Sequence, residues 1–331
     1  MINFGILSTA KIAHNFVKGV ASSTKLRVTA VASRDLARAR TFCELAGLSK
    51  TYGSYESLLA DPGIDAVYNA LPNSLHAEWT IKSLAAGKHV LCEKPLALSA
   101  PEALSMFAAA DAAQRHLVEA FPYRSQPLTL KLADLLASGE MGRPRILQAN
   151  FGFTMTDSAN IRLSAKLGGG ALLDAGSYPV SLARMVAGEC AKRVSATAQW
   201  YTPGVDETMA ATLEFPSGLL AQVSCTFGTG VHRHAVIACD SGVIETRYAN
   251  HTDRGSPGVF WVRRGISWDA PLEMIEFPPL NGFLAEADTF ADLIEGRTKV
   301  WSGISRAESI DVARIVDAIR ESARTELPVR L

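Results

Sequence analysis

Along the first third of the chain, short unbroken apolar runs alternate with stretches whose apolar positions recur every three or four residues. Ile2–Leu7, Leu26–Ala32, Ala66–Ala70, His89–Cys92 and Leu117–Ala120 read as buried strands. Between them helices are predicted over Lys11–Val20, over Asp35–Ala46 with Gly47 as its stop, and over His76–Ala86 closed by Gly87. A further helix runs from the capping box Ser99-Ala-Pro-Glu102 to about Arg115. Fully apolar strands separated by helices predict an α/β fold with a parallel sheet covered on both faces, and right-handed crossovers make it doubly wound. After Pro122 the rhythm changes. Helices near Leu128–Ala137 and over Ala171–Val186 precede strands at Arg193–Tyr201, Thr208–Phe215, Leu219–Phe227, His232–Cys239 and Val243–Arg247, with turns at Pro216-Ser-Gly218 and Asp240-Ser-Gly242. Consecutive strands with tight turns predict a second, α+β domain built on a mostly antiparallel open sheet. Two helices close the chain, the last opened by Ser305-Arg-Ala-Glu308. The expected division is 1–121 for the doubly wound domain and 122–331 for the second, with the final helices free to pack back on the first.

A length of 331 residues suits two such domains. Lysine plus arginine (33) balances aspartate plus glutamate (33), which excludes a protein whose main task is gripping nucleic acid or an anionic membrane. Cys43, Cys92, Cys190, Cys225 and Cys239 are odd in number and scattered, so neither a disulfide framework nor a thiolate zinc site organises the fold; small buried thiols are expected. Only Met1 precedes the first apolar run, leaving no room for a signal peptide, and no apolar stretch reaches the ~20 residues that span a bilayer. The expectation is a soluble cytoplasmic protein.

The turn after the first strand holds Ser8, Ala10 and Ala13 at G-x-G-x-x-G spacing: small residues between a strand and a helix, where backbone amides can face a pyrophosphate. A packed turn without ligand is the competing reading. The second strand ends Ala32-Ser33-Arg34, where a sheet that binds NAD usually carries an acid for the ribose 2′-hydroxyl. Ser33 can donate to a 2′-phosphate and Arg34 can pair with it, with Arg38 one turn on as a second cation; this favours NADP(H) over NAD(H). Asp35 is read as a helix cap rather than a ribose ligand. The candidate cofactor-binding set is Ser8, Thr9, Ala10, Lys11, Ile12, Ser33, Arg34, Arg38, Leu71, Pro72, Asn73, His76, Glu93 and Lys94, the last six at the C-terminal ends of predicted parallel strands.

Lys94, directly after a buried strand and before Pro95, is poorly explained as surface charge. Asp174 and Tyr178 are four apart, hence on one face of a helix. A lysine beside a tyrosine suits carbonyl reduction, because the ammonium favours the ionised phenol, which then exchanges a proton with the substrate oxygen.

Here the chain resembles the Gfo/Idh/MocA (glucose–fructose oxidoreductase/inositol dehydrogenase/MocA) family. The resemblance rests on GILSTAKIA (Gly5–Ala13), ASRD (Ala32–Asp35), LPNSLHAE (Leu71–Glu78), AGKHVLCEKPLAL (Ala86–Leu98), EAFPYR (Glu119–Arg124) and GGGALLDAGSYPVS (Gly168–Ser181). It implies an N-terminal Rossmann domain, a C-terminal α+β domain whose open sheet mediates dimers or dimers of dimers, and NAD(P)-dependent oxidation or reduction of sugars and polyols. Carried over, Lys94 binds the reacting oxygen, Asp174 orients substrate or Lys94, and Tyr178 is the acid/base; Tyr123 and Arg124 join the substrate-binding set. Many relatives carry histidine where Tyr178 stands. Tyrosine there resembles the branch of pentose (xylose) dehydrogenases, dihydrodiol dehydrogenases and deoxysugar ketoreductases, which generally prefers NADP. Pro122 departs from the bulkier residue that the branch leads one to expect. The alternatives are a non-catalytic NADP-binding sensor of the same fold and a trans-dihydrodiol-type dehydrogenase on a non-sugar substrate.

His232 and His234 face one side of a strand without an obvious third ligand, so no metal is expected. Trp200, Trp261, Trp268 and Trp301 are read as core or dimer interface. Substrate identity is expected to lie in the loops Phe151–Lys166 and Asn250–Pro257.

Overall fold

In the computed structural model, which describes residues 1–202, 204–253 and 258–331, the apolar runs of the first third pair as expected. β1 (Ile2–Leu7), β2 (Leu26–Ala32), β3 (Lys50–Tyr52), β4 (Ala66–Asn69), β5 (His89–Glu93) and β6 (Leu117–Ala120) form a six-stranded parallel sheet in the order β3-β2-β1-β4-β5-β6. Strand order reverses outward from β1, and it is outside the C-terminal strand ends at such a reversal that α/β sheets bind ligands. The helices α1 (Lys11–Val20), α2 (Leu36–Ala46), α3 (Tyr55–Leu59), α4 (His76–Ala85) and α5 (Ala100–Ala113) connect them. The short β3 and α3 lie in Lys50–Leu59, a stretch too polar and too brief to show a period.

Two compact units result. The first comprises Met1–Ala97, Pro101–Ser125 and Leu280–Arg306; the second comprises Leu98–Ala100, Gln126–Pro279 and Ala307–Leu331. Of the two closing helices, Gly282–Ile294 belongs to the first unit and Arg306–Thr325 falls almost wholly in the second. The first of these packs on β1 and α1 through aromatic contacts: Phe16 stacks on Tyr68 at 3.9 Å and meets Phe283 edge-on at 5.8 Å, while Phe290 meets Phe4 at 6.1 Å. All five rings are buried. Trp301 packs against this core too, so it is not a second-domain residue.

The second unit holds α6 (Pro127–Ala137), β7 (Pro144–Thr154), α7 (Ser177–Ala187), β8 (Arg193–Thr202), β9 (Val205–Glu214), β10 (Leu220–Thr226), β11 (Gly228–Cys239), β12 (Gly242–Thr246), β13 (Gly258–Arg264), β14 (Leu272–Phe277) and β15 (Val329–Arg330). They form a nine-stranded sheet, β14-β13-β12-β11-β7-β10-β9-β8-β15, antiparallel except where β10 runs parallel to β7. β7 was not among the expected strands, and residues 151–154, expected as loop, complete it. Alternation sorts the sheet faces: Leu147, Ala149, Leu213, Ala221, Val223 and Ile237 are buried on one. The other presents Gln148, Thr212 and Gln222 with the half-exposed Ile146 and Leu220.

The five cysteines are free, Cys92 and Cys225 being buried. Trp268 is 92% exposed, so of its two expected places, core or dimer interface, it does not lie in the core. Among the described residues no cluster of three potential metal ligands occurs, and no helix is long and apolar enough to cross a membrane.

Candidate active site

In the first unit the turn from β1 to α1 takes an unusual backbone. Ser8 has φ 119°, and its Oγ accepts from the Ala10 amide at 3.1 Å, bending the chain tightly without glycine. No side chain caps α1 and no acid occupies its first turn, so the Lys11 and Ile12 end of the helix is left as a donor-rich, positive terminus. Across the sheet edge, Ser33 is buried at the end of β2. Asp35 caps α2, accepting from the Ala37 and Arg38 amides at 2.9 and 3.2 Å, as expected. With that carboxylate engaged by backbone, Arg34 and Arg38 are exposed and neither forms an ion pair among the described residues. An anion-binding helix end beside two exposed guanidinium groups, Arg34 being hydrogen-bonded to Tyr55, and no committed ribose acid fits a dinucleotide bearing a 2′-phosphate.

The ends of β4 and β5 are braced from within. Asn69, fully buried, donates to the His76 carbonyl and to Thr80 Oγ1 at 3.2 and 3.1 Å. The His76 ring bridges two carbonyls, Nδ1 to Pro95 O at 2.8 Å and Nε2 to Leu71 O at 2.9 Å. With no exposed surface, His76 sits between the Leu71 turn and the Lys94-Pro95 turn, its neutral ring able to donate one N–H to one of the two carbonyls. Burial lowers its affinity for a proton. Lys94 follows β5 and is joined to Pro95 by a cis peptide. Glu93 accepts from Tyr68 Oη and, at 3.2 Å, from the Lys94 amide, so its carboxylate supports the turn. Tyr123 and Arg124 are buried in the short turn Pro122–Ser125, with the Tyr123 ring edge-on to Phe121 at 6.0 Å.

In the second unit the predicted helix Ala171–Val186 is interrupted. Leu172–Gly176 form a π-turn that continues directly into α7, a distortion that recurs at functional sites. Asp174 therefore lies on the wider turn and Tyr178 on the regular helix that follows it. Asp206, 5% exposed, accepts from the Leu172 amide at 2.6 Å and anchors the helix start. Gly170 at φ 120° approaches it so closely that a Cβ would lie 2.2 Å from Asp206 Oδ1. Asp174 pairs with Arg162 at 2.7 Å, which draws the 151–166 loop to the helix.

Tyr178 is 5% exposed. Asn250 Nδ2 donates to its Oη at 2.8 Å, and the Asn250 carbonyl is held by Gln126 Nε2 at 2.8 Å. The Arg233 guanidinium lies 4.2 Å from the Tyr178 ring centre, 4.4 Å from that of Tyr248 and 5.0 Å from that of Phe151. Tyr248 Oη donates to the Asn150 carbonyl at 2.5 Å. Sequence reasoning missed Arg233, Asn250, Asp206 and Arg162. Arg162 and Asn250 do fall in the two loops expected to carry specificity, and Arg233 alternates with His232 and His234, so if they face outward it faces in. In the structure His234 lies 3.6 Å from Glu245 and His232 Nδ1 is 3.0 Å from Gly230 O. Residues 254–257 of the second expected specificity loop lie outside the described residues.

Residues 2–121 match the family described as an oxidoreductase family with an NAD-binding Rossmann fold, and residues 129–245 match the GFO/IDH/MocA C-terminal domain. A D-xylose 1-dehydrogenase (NADP(+)) from Haloferax volcanii is 37% identical, with 99% of each chain covered. A trans-1,2-dihydrobenzene-1,2-diol dehydrogenase from Danio rerio is 31% identical over 96% of each. Among solved structures, a 3-ketoreductase from Actinomadura kijaniata, crystallised with NADP and TDP-benzene, superposes with a TM-score of 0.86 at 30% identity, covering 97% of each chain.

Proposed function

The chain belongs to the GFO/IDH/MocA oxidoreductase family, and from that premise we propose that it interconverts hydroxyl and carbonyl groups of a sugar or polyol with NADP(H) in preference to NAD(H). When bound, NADP(H) supplies the two-electron step, accepting or giving hydride at its nicotinamide ring. The uncapped α1 terminus with Ser8, Thr9, Ala10, Lys11 and Ile12 holds the pyrophosphate, and Ser33, Arg34 and Arg38 hold the 2′-phosphate. Leu71, Pro72, Asn73 and Glu93 shape the turns alongside, with His76 as their brace.

In the oxidising direction, Tyr178 Oη takes the hydroxyl proton as the carbinol C–H bond is lost and the C=O bond forms. Lys94 binds the same oxygen and stabilises charge developing there. Asp174, held by Arg162, orients the substrate, with Tyr123 and Arg124 completing its surroundings. The reverse direction returns the proton from Tyr178 to the nascent alkoxide. The observation that carries this reading is the setting of Tyr178: its oxygen accepts a hydrogen bond from Asn250 and its ring faces the Arg233 guanidinium, two neighbours that stabilise a phenolate against the cost of burial. A sensor gains nothing from such an arrangement.

The xylose dehydrogenase relative favours an aldose substrate, and the dihydrodiol dehydrogenase relative supports the second reading, a non-sugar diol. A panel of aldoses, polyols and trans-diols followed by NADPH absorbance separates them. Lys94→Met is expected to abolish turnover while NADPH binding stays measurable; a variant that retains most of the activity refutes the mechanism. The open sheet face, with Ile146, Leu220, Leu272 and Met274 each between 45 and 58% exposed, supports a homodimer, or a dimer of dimers, built through that face.

A further inference from the structure

We infer that Arg233 and Asn250 are positioning residues that hold Tyr178 ready to ionise, Arg233 by its charge against the ring and Asn250 by its donor on the oxygen. This rests on the reading of Tyr178 as the proton acceptor, and concerns what makes it one. β11 brings Arg233 to the inner face of the sheet while its neighbours His232 and His234 alternate to the other. There the guanidinium sits among the Tyr178, Tyr248 and Phe151 rings at 4.2, 4.4 and 5.0 Å. A cation that close to a phenol ring favours the phenolate over the neutral form, because its attraction grows when the ring system gains a full negative charge.

The two residues act in series. Arg233 Nη1 donates to Asn250 Oδ1 at 3.4 Å, and Asn250 Nδ2 donates to Tyr178 Oη at 2.8 Å. Since a guanidinium can only donate, the Asn250 oxygen must face it and the amide N–H₂ must face the phenol. The cation also polarises the amide, strengthening its donor. Gln126 fixes the Asn250 backbone at 2.8 Å, so the relay does not depend on a freely moving loop.

Several charged and titratable groups near the ring have partners of their own, and His251 and Asp253 follow Asn250 in the chain. On its own helix Asp174 pairs with Arg162 at 2.7 Å, and Arg184 pairs with Asp311 at 2.7 Å. Cys225 of β10 lies beneath Gly176, its thiol held far above the usual range by burial. From the segment after β12, Tyr248 is turned to the Asn150 carbonyl of β7.

The test is the pH profile of kcat/KM for oxidation, whose rising limb reports ionisation of the proton acceptor. Arg233→Met keeps side-chain bulk and loses the charge. It is expected to move that limb upward by about one pH unit, so that activity falls roughly tenfold on the limb and recovers at higher pH, with the NADPH Kd unchanged. Asn250→Ala is expected to shift it in the same direction, and Arg233→Lys to restore part of the shift. A difference ultraviolet titration of tyrosinate, referenced to Tyr178→Phe, reads the same change without turnover. An unmoved limb and an unmoved tyrosinate titration in Arg233→Met overturn the inference, provided that Tyr178→Phe is inactive. If Tyr178→Phe keeps its turnover, the underlying reading of Tyr178 fails instead. Should Arg233→Met not fold, Arg233→Gln and Asn250→Ala decide the matter by the same two measurements.

Discussion

Glu286 offers a sharp test of the packing in the first unit. It lies on the helix Gly282–Ile294 with no exposed surface, and neither carboxyl oxygen has a full hydrogen bond among the described residues. Burial holds its carboxyl well above the usual range; Glu93 adds repulsion, the Phe121 backbone pulls weakly the other way, and Glu119 repels as well. The folded protein therefore binds this proton more tightly than the unfolded chain does. Stability from this group is intact at low pH and is lost as pH rises from the unfolded carboxyl's value of about 4.3 towards the folded one. The slope is at most about 1.4 kcal/mol per pH unit, so pH 5 to pH 7 carries up to about 3 kcal/mol, or very roughly 6–12 °C in Tm. Glu286→Gln removes the titration while keeping shape and polarity. Its Tm minus that of the unmodified protein, measured by scanning calorimetry at both pH values, should rise between them, by no more than this bound. A difference that stays flat or falls refutes the burial argument.

Two further outcomes follow from the same physics. Arg34→Ala should weaken NADP binding by roughly 10- to 100-fold, the worth of one charge-assisted bond, and leave NAD binding nearly unchanged when both are titrated by fluorescence; equal losses would mean that the 2′-phosphate is read elsewhere. Leu220→Arg, which places a charge on the open sheet face, should shift sedimentation towards the monomer without altering the circular dichroism spectrum. An unshifted dimer would place the interface on another surface.

The parallel sheet was legible because its strands are mostly buried and so read as short, largely apolar runs, as in Ile2–Leu7 and His89–Cys92. Gly47 ends α2 in the left-handed conformation and Asp35 caps its start, as the residue types predict. β7 escaped notice because Pro144-Arg-Ile-Leu-Gln-Ala-Asn-Phe alternates weakly and opens on proline. β13 and β14 lie beyond a loop that breaks the hairpin rhythm. At the site, Lys94 and Tyr178 stand out by local context, whereas the partners of Tyr178 do not. Arg233 lies 55 positions away and Asn250 72, and both arrive through sheet pairing that no local period encodes. The π-turn is equally hidden, since nothing in Leu172–Gly176 announces a five-residue hydrogen-bond step.

That wider step has a consequence for chain length. A π-turn accommodates one residue beyond what a regular helix would use over the same span. Deleting a single residue there, Asp174 excepted, would let the segment close as regular α-helix over the same span, with the chain on either side keeping its place. The wide turn that carries Asp174 to Arg162 would then be lost, although both side chains were still present. Counting as well as chemistry thus specifies this region, and an insertion or deletion scan would expose it where point substitutions would not.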